Sequence, residues 1–227
     1  MKVYLRTYGC RANHYDTEQI KALLAESGAV LGQSEAEADV GIFNSCSVTS
    51  EAEADLRQGI RRAFRRNSAI RTIVTGCAAG RVLESGKAEG FTRLPGVSGL
   101  AAPADLQSLA KQLELPTGPS ARARAQAGAR ALLRIQDGCD EHCTFCITTI
   151  ARGRNRSRSE ADILREALEL AESHPEIVLT GTHIGSYGLD IGTSLGALAE
   201  SLIAAVPAVR FRLSSIEATE VDDRLRD

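Results

Sequence analysis

The sequence predicts an α/β protein in two parts, an N-terminal parallel-sheet α/β domain followed by a shorter run of βα units. Strand-like and helix-like periods alternate as βαβαβα through the first half, a pattern that specifies a parallel sheet with covering helices. The stretch 116–129, with Pro116, Gly118, Pro119 and Gly128, has no apolar period and reads as a linker, so domains are expected at 1–115 and 130–227. Beyond it the strand-then-helix order resumes. Open parallel sheets and β/α barrels both bind ligands past the carboxyl ends of their strands. Residues just beyond each predicted strand are therefore the candidates for chemistry.

The first strand is expected at 2–8 from its β-branched and aromatic content, and Gly9-Cys10 ends it. Asp16-Thr17-Glu18-Gln19 is expected to open a helix that buries Ile20, Leu23 and Leu24 and stops at Gly28. The second unit is a buried strand at 39–43, then Asn44-Ser45-Cys46 and a helix at 50–66. The third is a strand at 70–74, then Thr75-Gly76-Cys77 and a helix near 81–88. A strand at 96–100 and a helix at 105–113 complete the domain. After the linker, a strand at 131–136 runs directly into a cysteine-rich loop. Ser159-Glu160-Ala161-Asp162 can cap a helix whose apolar face holds Ile163, Leu164, Ala167, Leu168 and Leu170. A strand at 176–180 with a glycine-rich loop at 181–188, a helix at 195–205 and a strand at 209–215 follow.

The totals are those of an ordinary globular protein: 43% hydrophobic, 25% charged, net charge -2 and no Trp. No run approaches the roughly 20 apolar residues of a membrane span, and the first strand carries Lys2 and Arg6 where a signal peptide would be apolar. A cytoplasmic protein is expected, which favours metal or redox use of the six cysteines over disulfides. Arg57, Arg61, Arg62, Arg65 and Arg66 crowd one helical segment, and Arg152, Arg154, Arg156 and Arg158 follow the cysteine loop. Either run is a solvated face or a contact for a phosphate-bearing partner.

Cys139, Cys143 and Cys146 form a C-x3-C-x2-C loop within eight residues. Three soft thiolates so close make a metal site, and a missing fourth leaves one position open. A redox iron–sulfur cluster fits this spacing better than structural zinc, which uses paired ligands and a fourth Cys or His; His142 is the one nearby candidate. The other three cysteines, Cys10, Cys46 and Cys77, each follow a predicted strand. Parallel packing brings them to one sheet edge, a second three-thiolate site, unless they are merely buried cysteines. None of His14, His142, His174 and His183 has spacing that demands catalysis, and surface or loop placement is expected for them.

The cysteine loop with an aromatic residue before its last Cys resembles the cluster motif of radical S-adenosylmethionine (SAM) enzymes. The longer string, Asp137-Gly138-Cys139 through Cys146-Ile147 and on to Ala151-Arg152-Gly153-Arg154-Asn155-Arg156-Ser157-Arg158, resembles the methylthiotransferases. Thr148-Thr149-Ile150 stands where that family usually has Ile-Pro-Tyr, so a different local backbone is expected there. Tyr8-Gly9-Cys10-Arg11-Ala12-Asn13, Asn44-Ser45-Cys46-Ser47-Val48-Thr49 and Thr75-Gly76-Cys77-Ala78 resemble the family's N-terminal domain. The resemblance implies two 4Fe-4S clusters, one on Cys139, Cys143 and Cys146 that binds and cleaves SAM, and an auxiliary one on Cys10, Cys46 and Cys77. It also implies that 130–227 is the first half of a radical SAM partial (β/α) barrel and that the chain is C-terminally truncated. Gly181 and Thr182, with Ser214, Ser215 and Glu217 on the same rim, occupy strand ends where SAM would be held; Gly181, Gly185 and Gly188 also read simply as turn residues.

The strings at 151–158, 180–188 and 212–217 look most like the branch that thiomethylates C2 of N6-threonylcarbamoyladenosine at position 37, beside the tRNA anticodon. Sister branches act on isopentenyladenosine in tRNA or on a ribosomal protein. The implied partners are the tRNA anticodon loop, an external electron donor and a sulfur source, with no membrane. Two other classes stay open: a zinc-stapled RNA-binding module without catalysis, and a two-cluster electron carrier, which would normally have a fourth cysteine per cluster.

Overall fold

The computed structural model describes residues 1–47, 49–86, 89–116, 126–141, 143–144 and 146–226. Most of the expected linker, 117–125, lies outside these residues, as do Val48, Ala88, His142 and Phe145. The chain divides into one unit of Met1–Arg122 with Cys143–Arg152, and another of Ala123–His142 with Gly153–Asp227.

The first unit contains the strands β1 (Lys2–Tyr8), β2 (Val30–Leu31), β3 (Val40–Ser45), β4 (Arg71–Thr75) and β5 (Val97–Leu100). They form one parallel sheet in the order β2-β1-β3-β4-β5, so the direction of winding reverses between β1 and β3. That reversal opens the crevice where doubly wound sheets bind ligands. The helices are α1 (Arg11–Glu26), α2 (Ser50–Arg66), α3 (Cys77–Ser85), α4 (Glu89–Thr92), α5 (Leu106–Gln112) and α6 (Thr148–Arg152). Every residue of β3 is buried, as a central parallel strand requires. Alternate side chains face opposite ways. Val40 and Ile42 therefore pack with Ile20, Leu24 and Leu109 in one cluster, and Phe43 packs with Leu56, Ile60 and Phe91 in another.

Helix α2 begins and ends where the sequence predicts. Thr49 caps it by accepting from Ala52 N at 3.2 Å, Glu51 and Glu53 sit in its first turn and Arg65 and Arg66 in its last, all in the sense its dipole favours. Two other helices start earlier than expected. Helix α1 begins at Arg11, with Asp16 and Thr17 buried inside it, and α3 begins at Cys77. Their inner polar side chains have tertiary partners, so they do not act as caps: Thr17 Oγ1 meets Thr7 Oγ1 at 2.6 Å and Asp16 meets Arg152. Helix α6 was not anticipated in the cysteine-loop segment.

The second unit contains β6 (Arg130–Arg134), β7 (Gln136–Asp137), β8 (Arg156–Ser157), β9 (Glu176–Thr180) and β10 (Arg210–Leu213), with α7 (Glu160–Ala171), α8 (Leu195–Ala205) and α9 (Asp223–Arg226). Strands β6, β9 and β10 form a parallel sheet whose spatial order follows chain order, the arrangement of barrel strands. The short β7 and β8, which flank the cysteine loop in the chain, pair antiparallel. Ser159 Oγ caps α7 by accepting from Asp162 N at 3.2 Å. Ile163, Ala167 and Leu170 of α7 and Leu198 and Leu202 of α8 cover Leu133, Ile177 and Leu179, and each large side chain so buried contributes about 1.5–3 kcal/mol. His174 lies in the loop between α7 and β9, one of the two placements expected for it, but is buried there: Nδ1 lies 3.1 Å from Leu170 O and Nε2 3.0 Å from Gln126 O. Among the described residues no helix is long and apolar enough to cross a membrane.

Candidate functional site

In the first unit, strand register decides where Cys10, Cys46 and Cys77 fall. Tyr8 of β1 is level with Ser45 of β3, and Asn44 of β3 with Thr75 of β4. Each cysteine lies one or two residues beyond its paired strand end, so all three reach one edge. Cys46 N donates to Tyr8 O at 2.8 Å, and a Cβ placed on Gly9, whose φ is +136°, would stand 2.9 Å from Cys46 Cβ. Only glycine lets these two turns approach so closely. Cys10 and Cys46 thus flank the reversal point of the sheet.

Asn13, fully buried on α1, joins the thiols. Cys10 Sγ and Cys77 Sγ both donate to its Oδ1, at 3.9 and 3.7 Å. Arg152 enters the same cluster from α6. Its Nη2 donates to Asn13 Oδ1 at 2.8 Å and to Asp16 Oδ2 at 2.7 Å, and its Nε to Cys77 Sγ at 3.1 Å. Burial pushes the Cys77 thiol up to about 11, while the Arg152 charge pulls the other way.

Among the described residues, no three of His, Cys, Asp or Glu stand close enough to hold a single metal ion as they are. A 4Fe-4S cluster asks for a different geometry, since each thiolate binds its own iron and the sulfurs stand farther apart. The donor set is three soft thiols, and the buried Asn44 Oδ1 and Ser47 Oγ beside them have no hydrogen-bond partner. An edge with thiols on three strand ends and polar atoms left over suits such a group.

The C-x3-C-x2-C loop spans both units. Cys143 and Cys146 belong to the first, where Cys146 N donates to Cys143 O at 3.1 Å and Cys146 Sγ to Thr148 Oγ1 at 3.1 Å. Cys139 belongs to the second; its N donates to Gly153 O at 3.1 Å, and its Sγ lies 3.6 Å from His183 Nδ1. His183 also bonds Glu220 through Nε2. The expected loop position of His183 holds, but the contact with Cys139 was not foreseen; nothing in its spacing signalled it.

Gln136 is the organiser that sequence reasoning missed. Wholly buried, it accepts from Thr182 N at 3.1 Å and His183 N at 2.9 Å, and donates to Gly138 O at 2.6 Å and Asn155 Oδ1 at 2.7 Å. Thr182 Oγ1 adds a bond to Asp137 Oδ1 at 3.0 Å. Gly181 and Thr182 are thus fixed at the end of β9, and Ser214 N donates to Leu179 O at 3.1 Å at the neighbouring end of β10. Ser215 and Glu217 lie exposed just past it.

The arginine runs are largely committed to structure. Arg62 and Arg66 both bind the buried Glu35, at 2.9 and 3.1 Å, and Arg57 binds Glu53 at 2.8 Å. In the second run, Arg152 is buried against Asp16, and Arg158 pairs with Glu166, whose side chain is 1% exposed. Arg154 remains 92% exposed.

These features describe a two-unit α/β protein with cysteines at its strand ends. Residues 2–91 match the family model described as Uncharacterized protein family UPF0004. Over nearly its whole length the chain is similar to proteins named as methylthiotransferases. Over 98% of its length it is 35% identical to the threonylcarbamoyladenosine tRNA methylthiotransferase MtaB of Bacillus subtilis, covering 53% of that protein. It is 32% identical over 99% of its length to the MtaB of Aquifex aeolicus, covering 58%. It is also 31% identical, over its full length, to the tRNA-2-methylthio-N(6)-dimethylallyladenosine synthase of Chloroherpeton thalassium, covering 54%. The chain therefore spans about half the length of the curated relatives it matches.

Proposed function

We propose that the chain is part of a radical SAM methylthiotransferase that adds a methylthio group to C2 of N6-threonylcarbamoyladenosine at position 37 of tRNA. The observation that supports it most is the gathering of Cys10 and Cys77 on Asn13 beside Cys46, at the reversal point of a parallel sheet. Relatives named for this reaction match nearly the whole chain. Their names do not decide the nucleoside, and the dimethylallyladenosine synthase match supports a second reading in which that base is the substrate.

In this reading Cys139, Cys143 and Cys146 hold one 4Fe-4S cluster and Cys10, Cys46 and Cys77 the other. When bound, the clusters and SAM supply one-electron reductive cleavage and a transferable, methylated sulfur. The protein's own part is placement. Gln136 locks the Gly181-Thr182 turn to Gly138 at the base of the cysteine loop; in this reading Gly181, Thr182, Ser214, Ser215 and Glu217 contact SAM. Domains at 1–115 and 130–227 joined by 116–129, a cytoplasmic setting, an external electron donor and a sulfur source complete the proposal.

The test is anaerobic reconstitution with iron and sulfide, then addition of SAM and of tRNA carrying either modified adenosine. About eight irons per chain and a spectral change with SAM are expected for two 4Fe-4S clusters. Mass spectrometry of the nucleosides then decides the substrate. A colourless, zinc-loaded chain that leaves SAM intact would sink the radical reading.

A further inference from the structure

We infer that Arg152 is a positioning residue of the three-cysteine site, a buried cation clamped by Asp16 and Asn13 that fixes Cys77 Sγ and raises the reduction potential of what the site binds. The inference rests on the proposed cluster at Cys10, Cys46 and Cys77, but its evidence is the geometry of this chain.

The Arg152 side chain is 2% exposed and its partner Asp16 4%. Removing two charges from water is costly, and buried ion pairs are often no more stable than apolar residues of the same volume. Stability alone therefore gives little reason for a guanidinium here. Its bonding is also directed. One nitrogen, Nη2, takes both Asp16 Oδ2 and Asn13 Oδ1, while Nε is turned onto the Cys77 sulfur at 3.1 Å. Asn13 Oδ1 in turn receives the thiols of Cys10 and Cys77, so one amide oxygen links the cation to two of the three ligands.

The backbone is built to deliver this residue. A Cβ on Gly80 of α3 would collide with Ala151 O and stand 2.8 Å from Pro103 Cδ, so only glycine lets α6 lie against α3 at that point. The neighbour of Arg152 is thereby pressed onto the helix that begins with Cys77. An N–H donated to a cluster sulfur withdraws charge from it and favours the more negative, reduced state. The segment Cys143–Arg152 also carries Cys143 and Cys146 at its other end. One short stretch of chain thus bears two thiols of the first cysteine set and the cation that positions a thiol of the second.

The experiment uses the full chain with Cys139, Cys143 and Cys146 changed to Ala, so that bound iron reports the strand-end site alone. Arg152→Gln and Arg152→Lys are compared with this parent by thermal melt, iron affinity during reconstitution and midpoint potential from a spectroscopic redox titration. Lysine keeps the charge but not the directed Nε. The expected midpoints descend from parent to Arg152→Lys to Arg152→Gln, with iron affinity reduced by about tenfold or more in the glutamine variant. A folded Arg152→Gln chain with the parent's midpoint and affinity overturns the inference. Should that variant fail to fold, Arg152→Lys with parental values does the same. A parent that takes up no iron overturns the cluster reading itself, and the inference with it.

Discussion

The buried side chain of Gln136 accepts the backbone N–H of His183 at 2.9 Å, and so ties the end of β9 to the foot of the cysteine loop. The same oxygen takes Thr182 N, and the amide nitrogen serves Gly138 O and Asn155 Oδ1. Gln136→Leu strips partners from several half-buried groups at once. Each group left unpaired costs about 1–3 kcal/mol, so a loss of about 2–4 kcal/mol in denaturant unfolding is expected after partial relaxation. Gln136→Glu keeps the acceptor and buries a carboxylate against Gly138 O, and it should rescue little. A neutral Gln136→Leu would show that the loop is held by other contacts.

Glu35 predicts acid sensitivity. Burial raises its carboxyl, but a backbone hydrogen bond together with the bonds from Arg62 and Arg66 outweighs this and holds it below the usual range. A depressed carboxylate stabilises the fold above its unfolded value, and that contribution disappears as pH falls through the folded value. Glu35→Gln should therefore lose about 1–2 kcal/mol near neutrality, the partners being partly exposed. The difference from wild type should shrink in melts taken below about pH 4. An unchanged difference across that range would refute the linkage.

Much of this was legible before any coordinates. Parallel strands with cysteines after them must bring those cysteines to one edge, because register and direction leave no other place, and Cys10, Cys46 and Cys77 obey. Helix ends with local caps, such as Thr49 and Ser159, were equally readable. What escaped depends on partners distant in sequence. Asp16 looks like a helix cap until Arg152, 136 residues away, is seen to claim it. Gln136 has no periodic or motif signature, and its role exists only once two loops meet around it. His174 reads as a loop residue and is one, but nothing local shows that Gln126 will cover it.

Cys77 should be the slow thiol of the metal-free chain. Burial raises it to about 11, so near neutrality it holds its proton and is shielded besides, whereas Cys10 and Cys143 are exposed. Timed alkylation with iodoacetamide, read by peptide mass spectrometry at pH 7.5, should label Cys10 and Cys143 well before Cys77. The folded chain keeps this proton longer than the unfolded one. Its contribution to stability is thus complete below the ordinary thiol range of roughly 8.5 and is lost as pH rises toward about 11. Labelling of Cys77 as fast as Cys10 would mean that the strand-end site opens readily in solution.

The arginines after the cysteine loop divide into two kinds, and substitution should separate them. Arg158 binds Glu166 at 2.8 Å and Arg134 O at 2.7 Å, so Arg158→Ala takes a charged partner from a carboxylate that is 1% exposed. Removing one partner of a buried pair costs about 3–5 kcal/mol; Arg158 is itself 24% exposed, so the lower end is expected. Arg154 points into water, its side chain 92% exposed with only a 3.6 Å approach to Asp140. Arg154→Ala should leave the melt within about 0.5 kcal/mol of wild type. If the exposed part of the run meets tRNA phosphates, the same change should weaken tRNA binding uniformly and lower the slope of log affinity against log salt by about one. A destabilised Arg154→Ala, or one with wild-type salt dependence, would remove Arg154 from the nucleic-acid surface and leave the run with a structural purpose.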